Sequence, residues 1–176
     1  MEPQQAETQR EPLLEDLRAM KSWITLFIVA LSWPWEMLLR RNFGERYVNL
    51  GTILLPGFIL AFSIGVSTDV PDASALFLMI YGTAFVLMCC WHKVVIWKRN
   101  RRGEEWYSYS NGESRLFWNR LGIGDMTASQ YIEPILGMVL GVLLTPVAKV
   151  FGAFLFFSGF AMGLKEARIR YASRNA

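Results

Sequence analysis

The apolar residues of this chain are gathered into long blocks instead of alternating with charged residues. Residues 48–68 and 73–91 contain no charged side chain at all. Uncharged blocks of about 18 residues or more are typical of transmembrane helices, whereas soluble cores are built from shorter runs. The pattern therefore predicts an all-α integral membrane protein, with these two spans forming a first membrane half over residues 22–97.

A third apolar block, residues 132–164, is too long for one crossing. As a single helix it would measure about 50 Å, against a hydrocarbon core of about 30 Å. Pro146 and Lys149 supply a turn in its middle. If the first arm begins at Thr127, the start of a capping-box pattern, it reaches about 28 Å. We therefore predict a transmembrane hairpin over residues 127–164, with a re-entrant hairpin as the alternative.

The segment of residues 23–39 allows two interpretations. Its length is the lower limit for a span, but Pro34 kinks a helix and Glu36 is costly in hydrocarbon. It therefore either crosses the membrane or enters it and returns. Ahead of it, residues 1–21 combine a polar tail with an amphipathic helix, which lies on the membrane surface or docks on a partner.

The distribution of cations indicates the topology. With residues 48–68, 73–91 and both arms of the hairpin crossing, 14 of the 18 Lys and Arg residues fall on one side. Without a crossing at residues 23–39 the number rises to 17, so the positive-inside rule favours four transmembrane helices over five. The basic tail, residues 165–176, and the C-terminus are then cytosolic. The predicted location is a bacterial cytoplasmic membrane, with an organellar membrane as the alternative.

The loop of residues 98–126 is basic and aromatic. Its stretch EEWYSYSNGESRLFW is centred on Asn111-Gly112, a common two-residue hairpin turn, and predicts a short cytosolic β-hairpin. Tyr, Trp and Arg favour the membrane interface, so we expect contact with anionic lipid headgroups or a neighbouring subunit. The residues predicted to make this contact are Trp97, Arg99, Arg101, Arg102, Trp106, Tyr107, Tyr109 and Trp118.

Two GxxxG patterns lie in the C-terminal hairpin. Glycine lets helix backbones approach closely in a membrane, where packing drives association. Gly141 lies level with Gly152 if the chain turns near Pro146, and this pair is predicted to close the hairpin. The second pattern is expected to face no glycine of the first arm and to contact either the same chain or another subunit. The predicted packing residues are Gly137, Gly141, Gly159 and Gly163.

Metal and cofactor sites have little support. The chain has two cysteines and one histidine, fewer ligands than a structural zinc site needs. His92 could hold one face of a haem only if a partner supplied the second ligand. No cofactor is predicted. The pI near 9.0 does not indicate nucleic-acid binding, because the cations sit beside the apolar blocks.

Three ionisable residues lie near membrane depth: Glu36, Glu133 and Lys149. Such residues are candidates for a transport path. Each also has a structural interpretation: Glu36 precedes Arg40 by one helical turn and could pair with it, Glu133 lies near a helix N-terminus, and Lys149 is a turn residue.

These features predict a non-catalytic structural subunit of a larger membrane complex that contacts other membrane subunits. A homo-oligomeric channel or transporter subunit is the alternative, and a subunit sharing a haem or pigment with a partner is a third hypothesis. An enzyme acting alone is not predicted, because the sequence shows neither a P-loop nor a nucleophile paired with a base.

Overall fold

The computed structural model describes residues 22–44, 48, 50–104, 113–114, 124 and 127–174, and this part of the chain is mostly helical. The prediction of a helical protein is confirmed at this level. The elements, in chain order, are α1 (Ser22–Leu39), β1 (Arg40–Arg41), α2 (Leu50–Ser67), α3 (Ser74–Arg101), β2 (Glu113–Ser114), a π-helical turn (Ala128–Ile132), α4 (Glu133–Leu144) and α5 (Lys149–Arg174).

Three helical stretches among the described residues are long and apolar enough to cross a membrane. They are Ser22–Leu39, Ser74–Arg101 and Lys149–Tyr171. Two shorter apolar stretches, Ile53–Ser67 and Ala128–Leu144, accompany them. The outward faces of these helices carry large apolar side chains, as lipid-facing helices do.

Helices α4 and α5 form the tightest pair because glycines line their contact. A Cβ atom on Gly141 would lie 2.6 Å from the backbone oxygen of Gly152. A Cβ atom on Gly137 would lie 3.0 Å from the Cα of Gly159. The expectation that Gly159 faces no glycine of the first arm was therefore wrong. The two helices stay close along their whole length, so the second pattern also packs inside the chain, with Gly163 near the side chain of Pro134.

The helices have two distinct ends. At the loop end, residues 68–73 and 145–148 meet, and one carboxylate joins them: Asp72 accepts hydrogen bonds from the backbone N–H groups of Ser74 (2.7 Å) and Lys149 (2.8 Å). These are N–H groups of the first turns of α3 and α5, which have no partner within their own helices. Lys149 is exposed and lies at a turn between helices.

The opposite end, here called the charged end, holds a two-stranded ribbon. Arg40 is paired with Ser114 and Arg41 with Glu113 in antiparallel register. Asn42, which follows β1, has a positive φ of 60° and donates to Glu113 Oε2 at 2.9 Å. This pairing to β1 was not predicted. The hairpin turn at Asn111-Gly112, with the aromatic residues Trp106, Tyr107, Tyr109 and Trp118, lies outside the described residues.

Candidate functional site

Five buried charged side chains meet at the charged end. They come from α1, β1, α4 and α5, and we call them the charge cluster: Glu36, Arg40, Glu133, Lys165 and Glu166. Charged residues are rarely buried unless they are paired, so this grouping is the strongest candidate site in the part of the chain that the structure describes.

Arg40 is the centre of the cluster. Its Nε donates to Glu133 Oε2 and its Nη2 to Glu166 Oε1, each at 2.9 Å, and Nη2 also reaches the backbone oxygen of Ser129 at 3.3 Å. Its side chain is 1% exposed. Burial alone would lower the pKa of Arg40, but the carboxylates of the cluster outweigh burial and raise it above its ordinary value. The guanidinium therefore stays charged at every physiological pH.

A third ion pair joins α1 directly to α5. Lys165 Nζ donates to Glu36 Oε2 at 2.6 Å, and the carboxylate of Glu36 is fully buried. We expected Glu36 to pair with Arg40 one turn along the chain. Its carboxylate accepts a hydrogen bond from Lys165, and its charge also acts on Arg40, whose pKa it helps to raise. Arg40 also donates to two carboxylates, one from α4 and one from α5.

The sequence before α4 positions Glu133 for this contact. The π-helical turn continues directly into α4, and the backbone N–H of Glu133 donates to the backbone oxygen of Ala128. Glu133 is therefore the first residue of α4 but lies inside one continuous helical stretch, Ala128–Leu144. Its backbone oxygen accepts a hydrogen bond from Trp35 Nε1 at 3.0 Å. The indole of Trp35 lies against Gly137, where a Cβ atom would come within 2.8 Å of Nε1.

Beside the cluster, α3 contacts the end of α1 through a buried histidine. His92 Nε2 donates to the backbone oxygen of Met37 at 3.4 Å, and its ring packs edge-on against Phe43, with centroids 4.7 Å apart. Among the described residues, His92 belongs to no group of metal-ligating side chains. Its contacts connect α3 to the chain that follows α1.

The predicted interface residues of α3 lie at the same end. Trp97 is about half exposed, and the guanidinium of Arg101 sits 4.0 Å from the centre of its ring. Arg99 donates to the backbone oxygen of Phe43 (3.4 Å), and Arg102 contacts Glu104 (3.4 Å). The α3 cations are thus split between internal contacts and an exposed basic rim.

Reasoning from the sequence identified Glu36 and Glu133 as candidates and named Arg40 only as a partner of Glu36, but it missed Lys165 and Glu166. These two residues were counted with the basic tail. A local signal did exist, since Lys165 and Glu166 interrupt an apolar helix with adjacent opposite charges. Their partners lie 126 and 129 residues away in the chain, and no local pattern identifies such partners.

No family model, curated protein or solved structure matches this chain.

Proposed function

We propose that the protein is a non-catalytic structural subunit of a multi-subunit membrane assembly. In this proposal α2 to α5 cross the membrane, and the charged end and the C-terminus lie in the cytosol. The apolar outward surfaces support this arrangement, as does the placement of most cations of the described residues at the charged end.

The observation that carries the proposal is an open small-residue face on α2. Gly57, Ala61 and Gly65 follow one another at four-residue spacing and lie along one side of the helix. A Cβ atom added to Gly57 or Gly65 would meet nothing within 4 Å, whereas Gly137 and Gly141 lie in backbone contact inside the chain. Small residues at this spacing let a second transmembrane helix pack closely.

Large side chains form a ridge beside this face of α2. Leu54 and Phe58 are exposed, at 61% and 69%, and lie on the same side of α2 as Ala61 and Gly65. A neighbouring helix lying in the groove of small residues would pack against this ridge. The partner that fits is therefore a transmembrane helix of another subunit with small residues on its own contact side.

The charge cluster also favours a structural role over a transport path. Glu36 and Glu133, the carboxylates that a path would use, are each bonded to a buried cation of the same chain. These ion pairs connect α1 and β1 to α4 and α5. The ion pairs therefore hold these elements together within the chain, and in this proposal α2 makes the contact with a partner.

The test is site-specific photo-crosslinking in native membranes, with the crosslinker at Phe58 and, as a control, at Leu87, which is exposed on α3. We expect an adduct of defined mass from position 58 and none from position 87. Gly65→Leu should abolish the adduct because it fills the groove, while Val66→Leu, one residue away on a different side of α2, should leave it unchanged. The proposal is wrong if position 58 gives no adduct, or if Gly65→Leu leaves it intact.

A further inference from the structure

The N-terminal part of α1 contacts the C-terminal part of α5, where a helix that spanned the membrane beside α5 would not place it. Thr25 and Glu36 are separated by about 16 Å along α1. Their partners, Arg168 (2.5 Å) and Lys165 (2.6 Å), are only about 4.5 Å apart along α5. If α1 ran from the loop end to the charged end, Thr25 would lie near residue 154 of α5. It lies instead at the charged end.

The contacts of α1 with α2 also place α1 near the charged end. Leu26 and Trp33 are about 10 Å apart on α1. Both line one apolar cavity of about 300 Å³, whose other wall is formed by Gly51, Leu55 and Pro56. These α2 residues lie within the first two turns of a helix that begins at Leu50. Helix α1 therefore meets α2 at the start of that helix, and it meets α5 near Lys165 and Arg168.

The side of α1 that faces away from the bundle is apolar. Trp23, Ile24 and Phe27 are exposed, between 46% and 70%. Next to them lies a groove of about 580 Å³ between α1 and α5, which is lined by Thr25, Leu164, Ala167, Arg168 and Tyr171.

From this geometry we propose that α1 does not cross the membrane but lies within the single leaflet at the charged end, where its exposed face and the groove beside α5 contact anionic phospholipids. The occupant follows from two observations. The face is apolar, as contact with acyl chains requires, and exposed cations of α3 and α5 lie at the same end, as anionic headgroups require. The inference rests on the proposed membrane embedding of α2 to α5.

Sidedness of labelling tests the position of α1. Single cysteines replace Ser22, Asp69 or Glu104 in a chain that carries Cys89→Ala and Cys90→Ala, and an impermeant maleimide is added to oriented vesicles of phosphatidylethanolamine and phosphatidylglycerol. We expect positions 22 and 104 to be labelled from one side and position 69 from the other. Labelling of position 22 together with position 69 overturns the inference but leaves the embedding of α2 to α5 intact. If positions 69 and 104 share a side, the embedding and the inference both fail.

Depth measured by spin labels tests the contact with lipid. A nitroxide at Phe27 is compared with one at Leu87, which is exposed near the middle of α3. Relaxation by oxygen should show that both contact lipid, and a water-soluble nickel chelate should place Phe27 nearer to the surface than Leu87. Equal depth at the two positions, or free access of the nickel chelate to Phe27, would refute the proposal.

Discussion

Removing the guanidinium of Arg40 should destabilise the fold far more than removing that of its neighbour Arg41. The substitution Arg40→Met keeps a long apolar stem but deletes the charge. It leaves the carboxylates of Glu133 and Glu166 facing each other in a buried site, because the side chain of Arg40 is 1% exposed and that of Glu133 is fully buried. A buried charge that loses its partner is the costly case.

The magnitudes for the two arginines follow from their surroundings. Breaking a buried ion pair by removing one partner costs about 3–5 kcal/mol. Arg41 is 59% exposed, and its contact with Glu113 is 3.8 Å long. Exposed ion pairs of this kind contribute about 0–1 kcal/mol. The same substitution at two consecutive positions should therefore change the free energy of unfolding by clearly different amounts.

The assay is unfolding of the purified protein in maltoside micelles by increasing mole fractions of dodecyl sulfate, followed by tryptophan fluorescence. The double variant Arg40→Met/Glu133→Gln should be less destabilised than the sum of its single variants, by about 0.5–3 kcal/mol, because the two residues interact directly. The structural role of the cluster would be refuted if Arg40→Met unfolded at the same dodecyl sulfate fraction as Arg41→Met, or if the double variant were strictly additive.

Two further predictions concern the α4–α5 contact and the loop end. Gly141→Ala should cost about 1–3 kcal/mol in the same assay, because its Cβ atom would lie 2.5 Å from a backbone nitrogen of α5, while the control Gly57→Ala, in open space, should not destabilise the fold. Hydrogen bonds from Ser74 lower the pKa of Asp72 below its ordinary value of 3.8, so its stabilising effect is present above that pH and is lost as the pH falls through the lowered pKa. Asp72→Asn should therefore reduce the loss of stability at low pH. A stability profile against pH that is the same in the variant and the parent protein would contradict the prediction.

Part of the candidate site could be predicted because the free-energy cost of a charge in an apolar stretch depends only on the local sequence. A carboxylate such as Glu36 or Glu133 inside an apolar stretch is noticed wherever it occurs, since hydrocarbon disfavours a charge. The identity of its partner could not be predicted in the same way. Glu36 had a cation available one turn away, yet it also accepts a hydrogen bond at 2.6 Å from Lys165, which the packing of α1 against α5 brings to it.

The glycines were likewise predictable in part. Their spacing predicted close helix contact in the C-terminal hairpin, since a missing Cβ permits it. Which helix each glycine contacts depends on where the chain turns and how far the two arms stay together. Gly159 therefore meets Gly137, while the small residues of α2, which the sequence did not single out, remain open.

The sequence by itself determined that this chain is helical and which stretches are apolar enough for a membrane, because these properties follow from the length of each block and the cost of each charge. Only the tertiary structure decided that Thr25, near the start of α1, and Glu36, near its end, both contact α5 within about one turn, and that Arg40 is buried while Arg41 is exposed. Hydropathy is summed along one segment, whereas burial and ion pairing depend on neighbours that folding brings from more than 90 residues away.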